Sequence, residues 1–359
     1  MKSLTLIAAF SLALISECFS LSNGFLLASA QASQEEPNFT PSTNENWVTL
    51  QKTLKTEVGS FDYEIHYNDR DASYAKRVVE ILENKAERIF EYFDYVPEWT
   101  VHFNILAATT ANGSATVFPT NYINLYNFPP AGHDHLQSIG DWVEGLVLHE
   151  LVHVVHMEQT RGFLAGVENI FGSIGRWGGV VPRWFSEGIA VWAESHLAGE
   201  GRLSSKQIRL ELEARLLDPN FCREIDCLDN PGSYPYGQLP YWMGAYFLEH
   251  LEKKNPGTLR CLIVENSDNI PFILDNAFIR CLGDHTWNLF KKFRAQYIDK
   301  IKSKQKSFQD SSAQNDLARF PLPKKGEHGR DQGSGVPLWK AGRFVQNGNF
   351  YFALSQDQS

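Results

Sequence analysis

After residue 32 the chain has no run of about 18 consecutive apolar residues, the length that a membrane-spanning helix needs. It also has no excess of basic residues, since 33 Lys and Arg stand against 42 Asp and Glu and leave a net charge of −9. The first absence argues against a stable membrane span in this part of the chain. The second argues against a nucleic-acid partner. With 43% apolar residues, the 359-residue chain can bury a large core in one or two domains.

Cysteine is scarce, and no two cysteines have the Cys-x-x-Cys spacing that zinc sites use. Apart from Cys18 near the N-terminus, the chain has an even number, which is typical of disulfides in exported proteins. Three connectivities are open, and four free thiols are the alternative. We favour Cys222–Cys227 with Cys261–Cys281, because both pairs close local loops.

The first residues have the pattern of a secretory signal peptide. Lys2 is followed by an apolar stretch from Leu4 to Ala30, with small residues before a cleavage point near Ala30 or Ala32. We therefore predict a signal peptide at 1–32 and an exported protein, either periplasmic or secreted. Residues 33–45 are polar and are predicted to be a flexible segment.

Hydrophobic periodicity predicts an α+β fold. Strands are expected at 61–67, 99–106 and 117–126, and a long amphipathic helix at 72–94. From about residue 138 to 302 the pattern is helical. The small N-terminal mixed sheet should therefore pack on a mostly helical region.

These elements are expected to form one main domain at 46–303. Residues 304–336 are rich in polar residues and glycine and are predicted to be a linker. Residues 337–359 resemble a β-hairpin around an Asn-Gly turn. The hairpin either docks on the main domain or begins a C-terminal β-propeller in a longer full-length protein.

An apolar helical segment at 142–156 has polar residues that burial makes costly without partners. His149 and His153 lie four residues apart, so both rings project from one helix face and can bind one zinc ion. Glu150 lies beside that face and can act as general base on a zinc-bound water. Two histidines bonded to backbone carbonyls are the alternative.

A second apolar helix at 182–194 has two carboxylates seven residues apart, Glu187 and Glu194. A buried carboxylate needs a cation, and Glu187 would complete a site of two histidines and one glutamate with a position left open. An arginine partner, Arg176 or Arg183, is the alternative for Glu187. Glu194 could accept the ring N–H of a ligand histidine, His149 or His153, and a structural ion pair is the alternative.

With these residues in place, the segment Trp-Phe-Ser-Glu-Gly at 184–188 resembles the gluzincin metallopeptidases, in which a Trp-x-x-Glu-Gly helix supplies the third zinc ligand. Gln159 stands where a metzincin would have its third histidine. The stretch from about 46 to 302 looks like a peptidase MA-like domain, some of which are fused to β-propellers. The resemblance implies zinc as cofactor and a peptide or protein as substrate.

Pro-Tyr-x-x-Gly at 240–244 is similar to a helix of the leukotriene hydrolase/aminopeptidase family. That resemblance implies that Tyr241 stabilises the oxyanion of the transition state and that Tyr236 lies near the site. Aromatic packing with the hydroxyls at the surface is the alternative. His156 is predicted to support the ligands or to be a satisfied core histidine.

Gluzincins also have an edge strand before the zinc helix, which implies that Asn121, Tyr122 and Ile123 bind an extended peptide. The Gly-x-Met-Glu-Asn motif that marks aminopeptidases of this clan is absent here. The sequence therefore predicts a zinc metallopeptidase and leaves its mode of cleavage open. The alternative is a catalytically silent or non-peptidase metal-binding module that serves as an interaction scaffold.

Overall fold

The computed structural model describes residues 46–130, 140–162, 165–166, 179–199, 201–229, 236–268, 273–314, 341–346 and 349–354. The predicted signal peptide, the flexible segment and most of the predicted linker lie outside these residues. The chain divides into two units, residues 1–302 and 303–359.

The first unit contains a five-stranded mixed sheet in the order β1-β2-β3-β5-β4. The strands β2, β3 and β5 are parallel, whereas β1 and β4 are antiparallel to their neighbours. Their bounds are β1 (Trp47–Lys55), β2 (Ser60–Asn68), β3 (Val101–Leu106), β4 (Gly113–Thr116) and β5 (Asn121–Tyr126). The α+β prediction is confirmed. The third predicted strand, 117–126, is shorter in the structure, because β5 begins at Asn121 and the residues before it form a turn with a cis Phe118–Pro119 bond. The strand β4 was not predicted.

Eight α-helices lie in the described residues. They are α1 (Ala72–Phe93), α2 (Trp142–Glu158), α3 (Arg183–Ala193), α4 (Lys206–Leu216), α5 (Leu239–Lys254), α6 (Thr258–Ser267), α7 (Leu274–Leu282) and α8 (Thr286–Gln314). The helix α8 therefore continues eleven residues past Ser303, into the stretch predicted to be a linker.

Alternation along the strands buries one face of the sheet. Phe61, Tyr63 and Ile65 of β2 are almost fully buried, and Phe61 packs edge-on against Phe90 of α1 at 5.0 Å between ring centroids. The residues between them on β2 point to the opposite, more exposed face, as the two-residue period of a strand requires. The helix α1 thus covers the sheet and contributes nine buried residues to the same core.

The helix α2 is fixed at both ends. At its N-terminus the Asp141 carboxylate accepts the Glu144 N–H at 3.1 Å and pairs with Arg77 of α1 at 2.6 Å. At its C-terminus the buried Glu158 carboxylate accepts the backbone N–H groups of Glu98 and Trp99, each at 3.2 Å. The sheet and the helix that bears both predicted histidine ligands are therefore held in one relative position.

Both favoured cysteine pairs are at disulfide-bonding distance. Cys222 pairs with Cys227 and Cys261 with Cys281, with Cα–Cα distances of 5.4 and 6.0 Å. In the described residues, no helix combines the length and the apolar character that crossing a bilayer requires.

The second unit includes an antiparallel pair of strands, β6 (Ala341–Gln346) and β7 (Asn349–Leu354). They lie where the sequence predicts a hairpin. The β-propeller stays a prediction.

Candidate metal centre

The two histidines of α2 converge from successive turns of the helix. His149 and His153 are 3% and 8% exposed, and their Nε2 atoms lie 3.2 Å apart. The rings meet edge to face, with centroids 4.8 Å apart. The i, i+4 spacing therefore aims two nitrogen donors at one point, as the sequence predicts.

The helix α3 brings a carboxylate oxygen to the same point. Glu187 Oε2 lies 3.3 Å from the Nε2 atom of His149 and 3.3 Å from that of His153. Burial would raise the pKa of Glu187, but hydrogen bonding to the two rings outweighs it and holds the pKa well below its ordinary value. The third donor is therefore an ionised carboxylate.

The size of this donor triangle fits tetrahedral coordination of a metal ion with bond lengths like those of zinc. Zinc binds nitrogen and oxygen ligands at about 2.0–2.1 Å, so two ligands at tetrahedral corners lie about 3.3–3.4 Å apart. Three ligands on one face of an octahedron at the same bond length would lie only about 3.0 Å apart. The measured sides of 3.2, 3.3 and 3.3 Å match the tetrahedral value better. These three residues can thus hold zinc and leave one coordination position open.

The Nδ1 atoms of the two histidines lie within hydrogen-bonding distance of polar side chains. His149 Nδ1 lies 3.1 Å from Glu194 Oε2, and His153 Nδ1 lies 3.1 Å from Ser186 Oγ. Each oxygen can accept a ring N–H, which leaves the Nε2 lone pair for a metal. Glu194 therefore has the position that the sequence predicts for it.

Glu194 is itself held by charge. It is 2% exposed and begins a π-helical segment, Glu194–Ala198, that continues α3. Its Oε1 atom accepts the Arg202 backbone N–H at 2.9 Å and lies 3.5 Å from Arg202 Nε. Burial alone would raise the pKa of Glu194, but the charge of Arg202 and the hydrogen bond with His149 lower it overall.

Glu150 lies at the wall of a cavity of about 490 Å³ that also exposes the donor triangle. Burial raises the pKa of Glu150, and the charges of the two histidines only partly offset this. The strand β4 lines the same cavity and approaches Glu150 closely. A Cβ atom at Gly113 would lie 2.7 Å from Leu146 Cδ1 and 2.9 Å from Glu150 Oε1, so any larger residue there would displace the ends of these two side chains.

Tyr241 of α5 lies beside His149, with the two rings roughly stacked at 6.3 Å. Its hydroxyl oxygen accepts a hydrogen bond from Arg183 Nη2 at 3.0 Å, and Arg183 Nε lies 3.6 Å from Glu187 Oε1. Arg202 lies over the tyrosine ring at 5.1 Å. Burial and the Glu187 charge raise the pKa of Tyr241 to about 12, so its hydroxyl stays protonated at neutral pH.

No family model and no curated protein matches the chain. Among solved structures it is similar to an M1 zinc metallopeptidase from Deinococcus radiodurans, at 13% identity and a TM-score of 0.40, over 70% of this chain and 52% of that one. It is also similar to an aminopeptidase N family protein from Idiomarina loihiensis, at 13% identity and a TM-score of 0.37, over 67% of this chain and 44% of that one. The chain thus spans about half the length of these structures.

The predicted substrate strand needs a correction. Asn121, Tyr122 and Ile123 lie on β5, which has a neighbour on each side, whereas the edge strand that lines the cavity is β4. Ile123 is buried in the core, and the Asn121 amide donates to Trp99 O and Glu158 Oε1. Tyr122 packs against His102, on the side of the sheet away from the core.

The two remaining predicted residues have different outcomes. His156 is 2% exposed and packs edge-on against Phe185, and its pKa falls to about 3 because of burial and the nearby His153. Within the described part of the chain, neither of its ring nitrogens has a hydrogen-bond partner. It is therefore a neutral core residue. The side chain of Tyr236 lies outside the described residues.

Sequence reasoning missed three polar residues of the site. Ser186 and Arg202 were not considered, and Arg183 was considered only as a rival partner for Glu187. In the structure Glu187 has both partners, because its two oxygens face opposite ways. Ser186 could have been found, since it is a polar residue within an apolar helix beside a predicted ligand. Arg202 could not, because the contact with Glu194, eight residues earlier, follows a π-helical segment that no sequence pattern predicts.

Glu194→Gln is expected to weaken zinc binding about 10–100-fold, the usual effect of losing an outer-shell carboxylate. The amide keeps the size of the side chain but removes the charge that holds His149 and Arg202. Competition with a chelator of known affinity measures the change. Glu249→Gln is the control, since Glu249 pairs with His196 and Lys253 and does not line the cavity. Equal affinity in wild type and Glu194→Gln would refute the orienting role.

Zinc binding and the stability of the metal-free protein should respond oppositely to pH. Burial lowers the pKa of His149, but hydrogen bonds with Glu187 and Glu194 outweigh it and raise the pKa from 6.5 to about 9. Because the pKa of His149 is higher in the folded state than in the unfolded state, protonation of His149 stabilises the fold. This contribution is complete below pH 6.5 and is lost as the pH rises through 9. Zinc must displace the same proton, so its affinity should rise up to about tenfold per pH unit in that window. Thermal melts with chelator and zinc titrations at several pH values test both trends, and a pH-independent zinc affinity would contradict the second.

Proposed function

We propose that this protein is an exported zinc metallopeptidase that hydrolyses peptide bonds, with zinc held by His149, His153 and Glu187. The donor triangle with sides of 3.2–3.3 Å, open to a cavity, is the observation that carries the proposal. Three protein ligands with one open position are typical of catalytic zinc, whereas structural zinc usually has four protein ligands.

Glu150 is the proposed general base. Bound zinc would supply a Lewis acid that polarises a carbonyl group and makes water more acidic. Glu150 is adjacent to the first ligand on α2 and lines the same cavity. Burial raises the pKa of Glu150 toward neutral pH. A group whose pKa lies nearer the working pH is better able both to take a proton from water and to return it to the leaving amine.

Tyr241 is the proposed oxyanion stabiliser. Because Arg183 donates to the tyrosine oxygen, the hydroxyl proton is left for a substrate oxygen in the cavity. The raised pKa keeps that proton in place, so the group acts as a neutral donor. Arg183 also lies near Glu187 and so positions a ligand and the tyrosine together.

The substrate is proposed to be a peptide in extended conformation that pairs with β4. In the described sheet β4 has a strand neighbour on one side only, and residues 111–115 line the cavity. Backbone pairing with an edge strand binds peptides without regard to most side chains. The close approach of Gly113 to Glu150 would bring the paired peptide backbone near the base.

Export is proposed from two features together. The N-terminal residues have the pattern of a signal peptide, and two cysteine pairs lie at bonding distance. Disulfides persist in oxidising compartments, such as the periplasm or the extracellular space.

The test is hydrolysis by purified protein of casein and of a quenched-fluorescence peptide library. Activity should disappear with a chelator and return when zinc is added at the stoichiometry of the site. If the protein holds zinc through His149, His153 and Glu187 and yet cleaves none of these substrates, the peptidase proposal is wrong.

A further inference from the structure

The face of the sheet opposite the core has rows of polar residues that the proposed function does not use. Strand register places Glu64 of β2 between Gln51 of β1 and His102 of β3. His66 lies two residues further along β2 on the same face, opposite Thr49. The side chains of Glu64, His66 and His102 are 19%, 27% and 22% exposed, so solvent reaches all three.

Three donor atoms of this face converge. Glu64 Oε2 lies 3.4 Å from His66 Nε2 and 3.3 Å from His102 Nδ1, and the two nitrogens lie 3.2 Å apart. In the described residues, only this group and the centre at His149 bring three potential metal donors so close together. The two triangles have almost the same size.

The same bond-length argument applies to the second triangle. Sides of 3.2–3.4 Å agree with the roughly 3.3–3.4 Å between tetrahedral zinc ligands, and exceed the roughly 3.0 Å of an octahedral face. Two imidazoles and one carboxylate are a ligand set that zinc and similar transition metals accept.

The groups around the triangle favour its use as a ligand set. Thr49 Oγ1 lies 3.0 Å from His66 Nδ1 and can accept a hydrogen bond from its N–H, which leaves the Nε2 lone pair for a metal. Gln51 donates to Glu64 Oε1, the oxygen that does not belong to the triangle. The ligands stand on adjacent strands, whose hydrogen bonds fix their spacing better than a loop would.

We propose that Glu64, His66 and His102 form a second binding site for a divalent transition-metal ion of the zinc type. Its position on the outer face of the sheet separates it from the core and from the residues that line the cavity. The ion links β2 to β3 by metal–ligand bonds and so stabilises the sheet. The site does not depend on peptidase activity.

The competing interpretation is a set of hydrogen bonds without metal. His66 and His102 are stacked, with ring centroids 5.5 Å apart, and one ring could donate to the other while Glu64 pairs with a protonated histidine. The two interpretations predict different zinc stoichiometries, so a direct count separates them.

The experiment counts bound zinc by mass spectrometry after equilibration in a zinc buffer and desalting. His102→Ala and Glu64→Gln are compared with wild type and with His285→Ala, which disrupts a surface histidine–aspartate pair that lacks a third ligand. Wild type and His285→Ala should bind one zinc equivalent more than either cluster variant. Cobalt substituted for zinc should show a tetrahedral absorption band that loses intensity in the cluster variants.

Equal stoichiometry and an unchanged cobalt band in all four proteins would overturn the proposal. Circular dichroism checks folding, and if His102→Ala does not fold, Glu64→Gln decides, because it changes charge but hardly changes size. Glu187→Gln separates the two sites, since it should lose the other zinc and retain this one. A wild type that binds both ions but cleaves no peptide would refute the proposed function alone.

Discussion

Glu150→Gln is expected to lower peptide hydrolysis about 10²–10⁴-fold, the usual contribution of a general base, without loss of zinc. The amide has the size of the carboxylate but cannot take a proton. Glu150 is not a member of the donor triangle, so the affinity of His149, His153 and Glu187 for zinc should not depend on it. The measurement is kcat/KM on the best substrate, together with the zinc content of the same preparation.

Glu144→Gln is the matched control for this prediction. Glu144 lies on the same helix but pairs with Lys85 and Arg77, away from the cavity. Its replacement should leave hydrolysis within about twofold of wild type, since this partly exposed ion pair lies outside the set of residues that line the cavity. Full activity in Glu150→Gln, or a loss that merely follows a loss of zinc, would show that Glu150 is not the base.

Stability offers an independent measure of the same substitution. Because burial raises the pKa of Glu150, the folded state disfavours the ionised carboxylate at neutral pH. Removing that charge should leave the melting temperature of the metal-free protein equal or higher. A variant that is inactive but no less stable than wild type would be hard to explain by misfolding.

The convergence of His149, His153 and Glu187 could be predicted from the sequence because the pattern of each helix is local. The i, i+4 spacing of His149 and His153 fixes their common face, and an apolar helix makes any carboxylate within it conspicuous. Glu187 and Glu194, seven residues apart on such a helix, could therefore be predicted to face the two histidines. The pairing of the four cysteines could be favoured for the same reason, since both loops are short.

The substrate strand could not be assigned in this way. The four-residue strand β4 contains glycine and small polar residues and lacks a hydrophobic alternation, so nothing in the sequence sets it apart from a loop. The role of substrate-binding strand was therefore assigned to β5, which is longer and has more apolar residues. The order β3-β5-β4 places β5 inside the sheet, and that order depends on long-range pairing rather than on local pattern.

The polar cluster on the outer face illustrates the same limit. Alternation along β2 predicts that Glu64 and His66 share a face, but His102 lies 36 residues beyond His66 on another strand. Only the register that pairs Glu64 with His102 brings the three donors together. A shift of one residue would turn His102 into the core.

Gly244→Ala is expected to destabilise the protein and weaken zinc binding together, because α3 and α5 touch backbone to backbone. A Cβ atom at Gly244 would lie 2.6 Å from the Trp184 carbonyl oxygen, and one at Gly188 would lie 2.9 Å from the Gly244 carbonyl carbon. Trp184 is 2% exposed and packed against Phe185, Phe247 and Phe278, so it cannot move aside easily. The two helices would have to separate.

Two opposing effects decide the sign of this change. Replacing glycine by alanine within a helix ordinarily stabilises it by about 0.5–1 kcal/mol. Overpacking a tight core contact costs about 1–3 kcal/mol, and here the contact is with backbone that has no rotamer to change. We therefore expect a net loss in the free energy of unfolding, measured by chemical denaturation of the metal-free protein.

Separation of the helices would also displace residues of the candidate metal centre. Glu187 precedes Gly188 on α3, and Tyr241 lies one turn before Gly244 on α5. A shift of α3 away from α5 changes the distance of Glu187 from the histidines of α2, so zinc affinity should fall even where the variant is folded. Gly237→Ala is the matched control, because a Cβ atom there would meet nothing within 4 Å. If Gly244→Ala proved as stable as that control and bound zinc equally well, the close crossing of α3 and α5 would not be what holds the third ligand in position.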